Sequence, residues 1–267
     1  MEVCMFGIEQ ELMDQLLLLK SKYQLKGIKA EFEAEGSSFR DLIRLRRITD
    51  KAEIKLYLKI GGVEALRDIK DSVEIGVDGL IAPMVESKFG LKKFLEAVKS
   101  VYKENKIHLS INIETKNSIE QIDDILSYAR GKFQNITLGR TDLSGSYLDD
   151  TITPDSDYII NLIKMVGRKS VNNGLTFTVG GSISTKSIDK FQNNSADFKN
   201  IQCIETRKVI LPRDVLLNYP EVLEEALHFE ELYILSMKEI NDIMVESELS
   251  RLNKLTHRVK KVFQPVA

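Results

Sequence analysis

The hydrophobic positions of this chain form short runs that alternate with longer amphipathic stretches. Each short run is rich in β-branched and other apolar residues, and a helical pattern follows it. The runs are Gly27–Glu35, Ile54–Ile60, Gly79–Met84, His108–Glu114, Asn135–Arg140, Leu175–Gly180 and Ile201–Ile210. This alternation predicts repeated βα units and a parallel sheet.

Two α/β architectures fit this order of elements: a closed (β/α)8 barrel of the TIM type and a doubly wound open sheet. No glycine-rich nucleotide-binding turn follows the first strand, which favours the barrel. A barrel needs an eighth strand, and Val3–Ile8 is a weak candidate for it. Leu80–Ala82 and Val209–Leu211 carry apolar residues on both faces, as expected where helices cover the strands or side chains fill the barrel.

The pattern changes after Pro212. Residues 1–212 are predicted to form the barrel, and residues 213–267 a helical extension that is longer than a last barrel helix needs. Apolar residues recur at helical period along it, including Leu232, Leu235, Ile243 and Leu249. This arm either packs back on its own barrel or docks on a neighbouring subunit, and the second alternative predicts a homo-oligomer.

Composition narrows the functional classes. The 267 residues contain 38 Lys plus Arg and 40 Asp plus Glu, a net charge of −2 that gives no support for nucleic-acid binding. No apolar run approaches the roughly 20 residues of a membrane span. Two cysteines are too few for a disulfide framework, so we expect reduced thiols and a cytoplasmic protein. The three histidines share no metal-ligand spacing, so any metal should be a hard cation held by oxygen ligands.

Two carboxylates end consecutive strand runs. Glu114 and Asp142 lie one βα unit apart, and neighbouring parallel strands are about 4.8 Å apart. Because active sites of such barrels lie at the carboxyl ends of the strands, the two acids could share one divalent cation. The alternative is that each caps the helix that follows it.

Cations and glycines mark other strand ends. Lys59 and Arg140 could offset negative charge that develops on a substrate, or could form salt bridges to nearby acids. The segment Gly180-Gly181-Ser182 would let backbone N–H groups approach an anionic group, or it could be a plain strand-to-helix turn.

Three successive motifs resemble a known enzyme family. Leu80–Ser87 (LIAPMVES), Ile111–Thr115 (INIET) and Leu138–Ser146 (LGRTDLSGS) are similar, in order and spacing, to signatures of the HpcH/HpaI aldolase and citrate lyase β-subunit family. The resemblance runs in register from about Gly27 to Ile210. It implies a (β/α) barrel, often with a C-terminal helix exchanged between subunits.

The resemblance also implies a chemistry. Mg²⁺ or Mn²⁺ would be bound by the acids matching Glu114 and Asp142 and would chelate the carboxylate and keto oxygen of a pyruvate-like 2-oxo acid. An enolate would then form, and a carbon–carbon bond to an aldehyde or thioester partner would be cleaved or made. Asn112, which has the same strand parity as Glu114, would bind the substrate or a metal-bound water, and the backbone at Gly180, Gly181 and Ser182 would hold the substrate carboxylate.

The chain departs from the family pattern at the groups that handle charge and protons. Lys59 stands where family aldolases usually have Arg, which keeps the charge and loses the bidentate fork. Arg140 is expected to take over part of that role. The His expected after the first strand is missing, so Glu33, Glu35 or a metal-bound water would have to move the proton.

The sequence therefore predicts a divalent-metal-dependent carbon–carbon lyase of the class II aldolase type. The expected partners are small molecules, with no nucleic acid and no membrane. Two alternatives stay open: citrate-lyase-like cleavage or condensation on an acyl thioester, and a barrel kept as a non-catalytic scaffold.

Overall fold

Eight strands close into one barrel in the computed structural model, which describes residues 7–262. The strands are β1 (Gly27–Glu31), β2 (Leu56–Lys59), β3 (Gly79–Ala82), β4 (His108–Ile113), β5 (Asn135–Gly139), β6 (Thr176–Gly180), β7 (Cys203–Glu205) and β8 (Val209–Pro212). Strands β1 to β7 are parallel and follow each other around the sheet in chain order. The predicted closed barrel is confirmed.

Helices occupy the predicted amphipathic stretches and both flanks of the barrel sequence. They are α1 (Gly7–Tyr23), α2 (Phe39–Lys51), α3 (Leu66–Ile75), α4 (Lys88–Tyr102), α5 (Lys116–Glu120), α6 (Ile122–Ala129), α7 (Arg140–Gly145), α8 (Asp157–Asn172), α9 (Thr185–Asn193), α10 (Arg213–Asn218) and α11 (Val222–Val262). No helix within residues 7–262 is long and apolar enough to cross a membrane.

Hydroxyl side chains fix the start of several barrel helices. Ser38, Ser87, Thr115 and Ser184 are the N-cap residues of α2, α4, α5 and α9, and each accepts a hydrogen bond from a backbone N–H in the first turn. Such caps satisfy N–H groups that have no partner within the helix. They hold the βα loops at the carboxyl ends of the strands, the end of the barrel where a substrate site is expected.

The eighth strand does not come from the N-terminus. Of the candidate Val3–Ile8, residues 3–6 lie outside the described residues, and the last two residues begin α1. The predicted run Ile201–Ile210 instead divides into β7 and the start of β8, which are joined by residues 206–208. Three residues cannot form a parallel crossover, so β8 is antiparallel to both β7 and β1. Arg207 and Lys208, two charged residues of this run, lie in the turn between the two strands.

The barrel interior is polar, whereas the strand faces that pack against the helices are apolar. On β1, Ile28 and Ala30 belong to the hydrophobic core, and they alternate with the charged residues Lys29 and Glu31. Apolar residues on both faces of a strand, as the sequence of Leu80–Ala82 predicted, are therefore not the general pattern of this barrel. The barrel closes around hydrogen-bonding groups rather than around packed aliphatic side chains.

Asn135 is the centre of the network at the amino end of the barrel. Its Nδ2 donates to Ser110 Oγ at 2.8 Å and to Thr137 Oγ1 at 3.1 Å. Its Oδ1 accepts from Thr176 Oγ1 at 2.8 Å and from Thr178 Oγ1 at 3.0 Å. The amide thus joins three neighbouring strands and satisfies polar groups that would be costly to bury unpaired.

The long helix α11 has two halves with different surroundings. Its first half packs along α1, where Gln15 Nε2 donates to Glu225 Oε2 at 2.8 Å and Phe229 is fully buried. From residue 241 to residue 259, every side chain is exposed. The helix is about 60 Å long, so its second half extends away from its own barrel as an arm.

A buried ion triad lies nearer the carboxyl end of the barrel. Lys29 Nζ is 2.9 Å from Glu205 Oε1 and 3.5 Å from Glu31 Oε1, and all three side chains are at least nine-tenths buried. Burial alone would lower the pKa of Lys29, but Glu205 and Glu31 outweigh it and raise the pKa. The ammonium ion is therefore the charge that makes two buried carboxylates tolerable.

We expect Lys29→Met to lower the free energy of unfolding by about 3–5 kcal/mol, because it leaves two buried carboxylates without their cation. Urea denaturation measures the change. The double variant Lys29→Met/Glu205→Gln should recover part of the loss, since one of the unpaired charges is then removed.

Lys238→Met is the matched control, because Lys238 pairs with Asp242 on the exposed surface of α11. It should leave the unfolding curve nearly unchanged. A loss in Lys29→Met no greater than that in the control would contradict the assigned role of the triad.

Candidate active site

A cavity of about 320 Å³ opens at the carboxyl ends of the strands, within the range of small-molecule sites. Its walls come from strand ends and βα loops all around the barrel. The lining residues are Lys29, Glu31, Glu33, Ala34, Lys59, Met84, Asn112, Glu114, Gly139, Thr141, Asp142, Gly181, Ser182, Glu205, Thr206 and Arg207. Seven of the ten residues that the sequence suggested for chemistry are in this set; Glu35, Arg140 and Gly180 are not.

Glu114 is held rigidly at the end of β4. Its Oε1 accepts from Met84 N at 2.9 Å, and its Oε2 accepts from Asn112 Nδ2 at 3.0 Å. Gly139 on the neighbouring strand leaves room for it, since a Cβ there would lie 2.6 Å from Glu114 Oε2. Thr115, not Glu114, caps α5, so the capping alternative does not apply to this carboxylate.

Burial raises the pKa of Glu114, and the nearby charge of Asp142 adds to the shift. The Lys59 ammonium and the hydrogen bonds from Met84 and Asn112 act in the opposite direction. A cation placed between the two acids would remove their mutual repulsion and favour the ionised form.

Asp142 reaches the same cavity from the first turn of α7. Gly139 is the N-cap of this helix, and no side chain makes a capping hydrogen bond there. Asp142 is solvent-exposed, unlike Glu114, which is 2% exposed. The two carboxylates therefore meet in one cavity, one deep and fixed, the other near the opening.

Lys59 lies at the end of β2 between acids. Its Nζ is 2.5 Å from Glu33 Oε2, and the residue is 6% exposed. Burial alone would lower the pKa of Lys59, but Glu114, Glu33 and Glu31 together raise it. The side chain is thus a fixed positive charge in the cavity wall, and its immediate partner is Glu33.

The lining carries more negative than positive charge. Lys29, Lys59 and Arg207 supply three cationic groups, against five carboxylates from Glu31, Glu33, Glu114, Asp142 and Glu205. Lys29 and Glu31 are lining residues that the strand-end pattern of the sequence does not predict. The signal in the sequence is their i, i+2 spacing in a buried strand. This spacing places both charged side chains on one face of the strand.

Arg140 does not have the role predicted for it. The side chain is fully buried and lies outside the cavity lining. Its guanidinium group donates to the carbonyl oxygens of Gly181 and Ser182 and to Asp155 Oδ1, the last at 2.7 Å. With its donors directed to these oxygens, Arg140 fixes the turn after β6 and does not reach a substrate.

The turn after β6 reaches the cavity through Gly181 and Ser182, and Gly180 stays behind it. Gly180 provides space for Glu205, since a Cβ there would lie 2.7 Å from Glu205 Cγ. Ser182 has a positive φ of 49°, and its Oγ lies 2.9 Å from Thr141 Oγ1. The prediction of a substrate-binding turn therefore applies to Gly181 and Ser182.

Glu35 also lies outside this cavity. Its carboxylate is hydrogen-bonded to Lys208 in the β7–β8 turn, in a separate cavity next to α11. Of the two acids proposed for proton transfer, only Glu33 faces Lys59 and Glu114 across the same space.

The donor set fits a hard divalent cation. Glu114 and Asp142 offer carboxylate oxygens, and the buried Oδ1 of Asn112 has no hydrogen-bond partner. A divalent ion would balance the charge excess of the lining. No cluster of three or more His, Cys, Asp or Glu ligands occurs among residues 7–262, so water and substrate oxygens would have to complete the coordination.

Solved structures share this fold at low sequence identity. An HpcH/HpaI aldolase from Desulfitobacterium hafniense DCB-2 matches with a TM-score of 0.58 and 16% identity over 73% of this chain and 81% of that one. An HpcH/HpaI aldolase/citrate lyase family protein from Burkholderia cenocepacia J2315 matches with a TM-score of 0.56 and 13% identity over 82% of this chain and 98% of that one. The citrate synthase SbnG matches with a TM-score of 0.54 and 17% identity over 86% of this chain and 90% of that one.

The sequence itself gives the family. No curated protein matches the chain by sequence. The family model for HpcH/HpaI aldolase/citrate lyase matches residues 45–201. These residues include Lys59 on β2, Asn112 on β4, Glu114 directly after β4, and Asp142 on α7. Since the match covers more than half of the chain, the protein belongs to the HpcH/HpaI aldolase/citrate lyase family.

Proposed function

We propose that this protein is a divalent-metal-dependent carbon–carbon lyase that acts through the enolate of a pyruvate-like 2-oxo acid. The observation that carries the proposal is the meeting of Glu114, Asp142 and Lys59 in one cavity whose lining is rich in carboxylates. Family membership supports a lyase, and the metal and the substrate class are our inference from the cavity.

Glu114 and Asp142 would hold Mg²⁺ or Mn²⁺. When bound, the ion would supply Lewis-acid polarisation of the keto group and stabilise negative charge on its oxygen. The hydrogen bonds from Met84 N and Asn112 Nδ2 fix the Glu114 carboxylate, so little reorganisation is needed when a cation binds.

The chain's own groups would bind the 2-oxo acid and move the proton. Gly181 and Ser182 line the cavity near the N-terminus of α7 and are placed to contact the substrate carboxylate. Lys59 offsets charge on the enolate. Glu33 would accept the proton from the methyl carbon of the 2-oxo acid, since its carboxylate lies beside Lys59 in the cavity. In condensation, that carbon forms a bond to the partner carbonyl carbon, and the partner oxygen takes up a proton.

We also propose that the arm of α11, residues 241–259, docks on a second copy of this chain. Val245, Leu249, Leu252, Leu255 and Val259 recur every three or four residues, and each is about half exposed. A continuous apolar stripe of this size on an otherwise exposed helix is typical of an interaction surface.

Glu114→Gln and Asp142→Asn should each weaken Mg²⁺ or Mn²⁺ binding about a hundredfold and abolish metal-dependent turnover, because each removes an anionic ligand. Calorimetry on chelator-treated protein, with and without pyruvate or oxalate, measures binding, and circular dichroism checks the fold. In the wild type, we expect the oxo acid to bind only with the metal present.

Asp150→Asn and Glu86→Gln are the matched controls, since both acids are exposed and lie outside the cavity lining. They should bind metal as the wild type does. Unchanged binding in both site variants would exclude Glu114 and Asp142 as ligands. A folded wild type that binds neither metal nor oxalate would contradict the proposed lyase and favour the non-catalytic scaffold.

Glu33→Gln should leave metal and oxalate binding in place and lower kcat by about a hundredfold or more, because the amide cannot accept the proton. Exchange of the pyruvate methyl protons with deuterated water, followed by NMR, measures the proton step without an aldehyde or thioester. Glu86→Gln serves again as the control. Wild-type exchange in Glu33→Gln would assign the base to another group.

Leu249→Glu/Leu252→Glu should convert the wild-type oligomer to monomers, since both charges fall on the apolar stripe of the arm. Light scattering coupled to size exclusion measures the mass. Ser247→Glu/Ser250→Glu adds the same charge on the opposite face and should leave the mass unchanged. A monomeric wild type, or equal masses in all three proteins, would contradict the proposed docking.

A further inference from the structure

The loop between β1 and α2 carries Glu33, the proposed proton acceptor, and has no large apolar side chain to anchor it. Phe32 and Phe39 pack against the hydrophobic core at its two ends. Between them the sequence is EAEGSS, and Gly36 has a positive φ of 57°. Polar contacts therefore determine where this loop places the Glu33 carboxylate.

Two lysines hold the loop, one from each strand that pairs with β1. Lys59 ends β2, and its Nζ lies 2.5 Å from Glu33 Oε2 in the cavity at the carboxyl ends of the strands, the first cavity. Lys208 directly precedes β8 and donates a hydrogen bond to Glu35, which lies outside that cavity. The two acids of the loop are thus held on opposite sides of the chain.

Backbone hydrogen bonds join both lysines to β1. Phe32 N donates to the Lys59 carbonyl oxygen at 3.0 Å. Lys29 N donates to the Lys208 carbonyl oxygen at 2.7 Å. Because both cations start from positions fixed on the barrel, the loop between them is tied to the barrel on both sides.

The ion pair of Lys208 and Glu35 is buried, with side chains that are 2% and 12% exposed. Lys208 Nζ lies 4.0 Å from the centre of the Tyr233 ring, and both residues line the second cavity, of about 250 Å³, next to α11. Ser37 Oγ donates to the same carboxylate oxygen of Glu35 at 3.4 Å. A buried pair with charge-assisted hydrogen bonds has few alternative positions, so the residue two positions after Glu33 is fixed.

We propose that Glu35 and Lys208 are positioning residues, which hold the loop so that the Glu33 carboxylate faces the methyl carbon of the 2-oxo acid. This role rests on the proposed function, in which Glu33 accepts a proton from that carbon. A shift of the outer pair reaches Glu33 across one intervening residue. A displacement of about 1 Å at a reacting group can lower a rate about a hundredfold.

Glu35→Leu/Lys208→Met removes both charges together, so neither stays buried without its partner. We expect kcat for exchange of the pyruvate methyl protons to fall by about tenfold or more. KM for pyruvate should change by less than about twofold, because the proposed metal ligands and the turn after β6 lie on other loops. NMR in deuterated water on the metal-loaded protein measures both constants. Glu35→Ala, which leaves Lys208 in place, should show the same split and serves if the double variant does not fold.

Two variants separate positioning from a general structural effect. Glu35→Gln keeps an oxygen that can accept from Lys208 and should stay within about threefold of the wild-type kcat. Glu64→Leu/Lys93→Met removes a 2.8 Å ion pair between the loop after β2 and α4, and should leave both constants unchanged. An unchanged kcat in Glu35→Leu/Lys208→Met, or an equal loss in the Glu64→Leu/Lys93→Met control, would overturn the proposal.

The methyl group of Ala34, between the two acids, reports on the loop without any substrate. In metal-free protein labelled with ¹³C-methyl alanine, its NMR order parameter should fall below about 0.6 in Glu35→Leu/Lys208→Met and stay higher in the wild type. The Ala65 methyl, in the loop after β2, is the internal control and should stay equally ordered in both proteins.

The two measurements distinguish failure of this proposal from failure of the proposed function. An Ala34 methyl that is equally ordered in both proteins would overturn the hold of the ion pair on the loop. Absence of proton exchange in the wild type, with Ala34 mobile only in the double variant, would instead contradict the proposed function and, with it, the catalytic purpose of the pair.

Discussion

The need to neutralise charge inside the barrel organises this structure. Side chains inside the barrel are shielded from bulk water, so a charged group there needs a partner of opposite charge. Lys29 supplies one between Glu31 and Glu205, and Lys59 supplies one beside Glu33. The remaining excess of carboxylates lies at the open end. The same constraint that stabilises the interior therefore creates a cation-binding environment where the strands end.

The glycines of the strand ends make this charge distribution sterically feasible. Gly139 and Gly180 pair across β5 and β6, and each faces an acid that a Cβ would displace, Glu114 and Glu205 respectively. The positions of these two acids at the barrel mouth thus depend on a glycine, with no Cβ, at the facing position of the neighbouring strand. Helix-capping hydroxyls complete the arrangement, because Thr115 caps α5 and the Glu114 carboxylate is not used for capping.

The alternation of runs and amphipathic stretches predicted the barrel, because strand and helix periods are local properties of the chain. The alternation did not predict the eighth strand. Residues 206–208 form a short turn inside one apolar run, and the sequence pattern does not distinguish such a turn from a polar interruption of a single strand. Arg140 and Glu35 show the limit for the site. Arg140 directly follows β5, and Glu35 lies in the loop after β1. Whether such a side chain turns toward the barrel axis or toward Asp155 or Lys208 depends on residues distant in sequence.

The antiparallel β7–β8 hairpin, which the sequence pattern concealed, has a functional consequence. A parallel crossover would have inserted a helix between these strands. The short turn instead holds Arg207 at the first cavity and Lys208 at the second, against Glu35 and Tyr233. The hairpin is therefore the element that links the charged lining of the barrel mouth to the helix α11, because Arg207 lines the cavity and Lys208 packs against Tyr233.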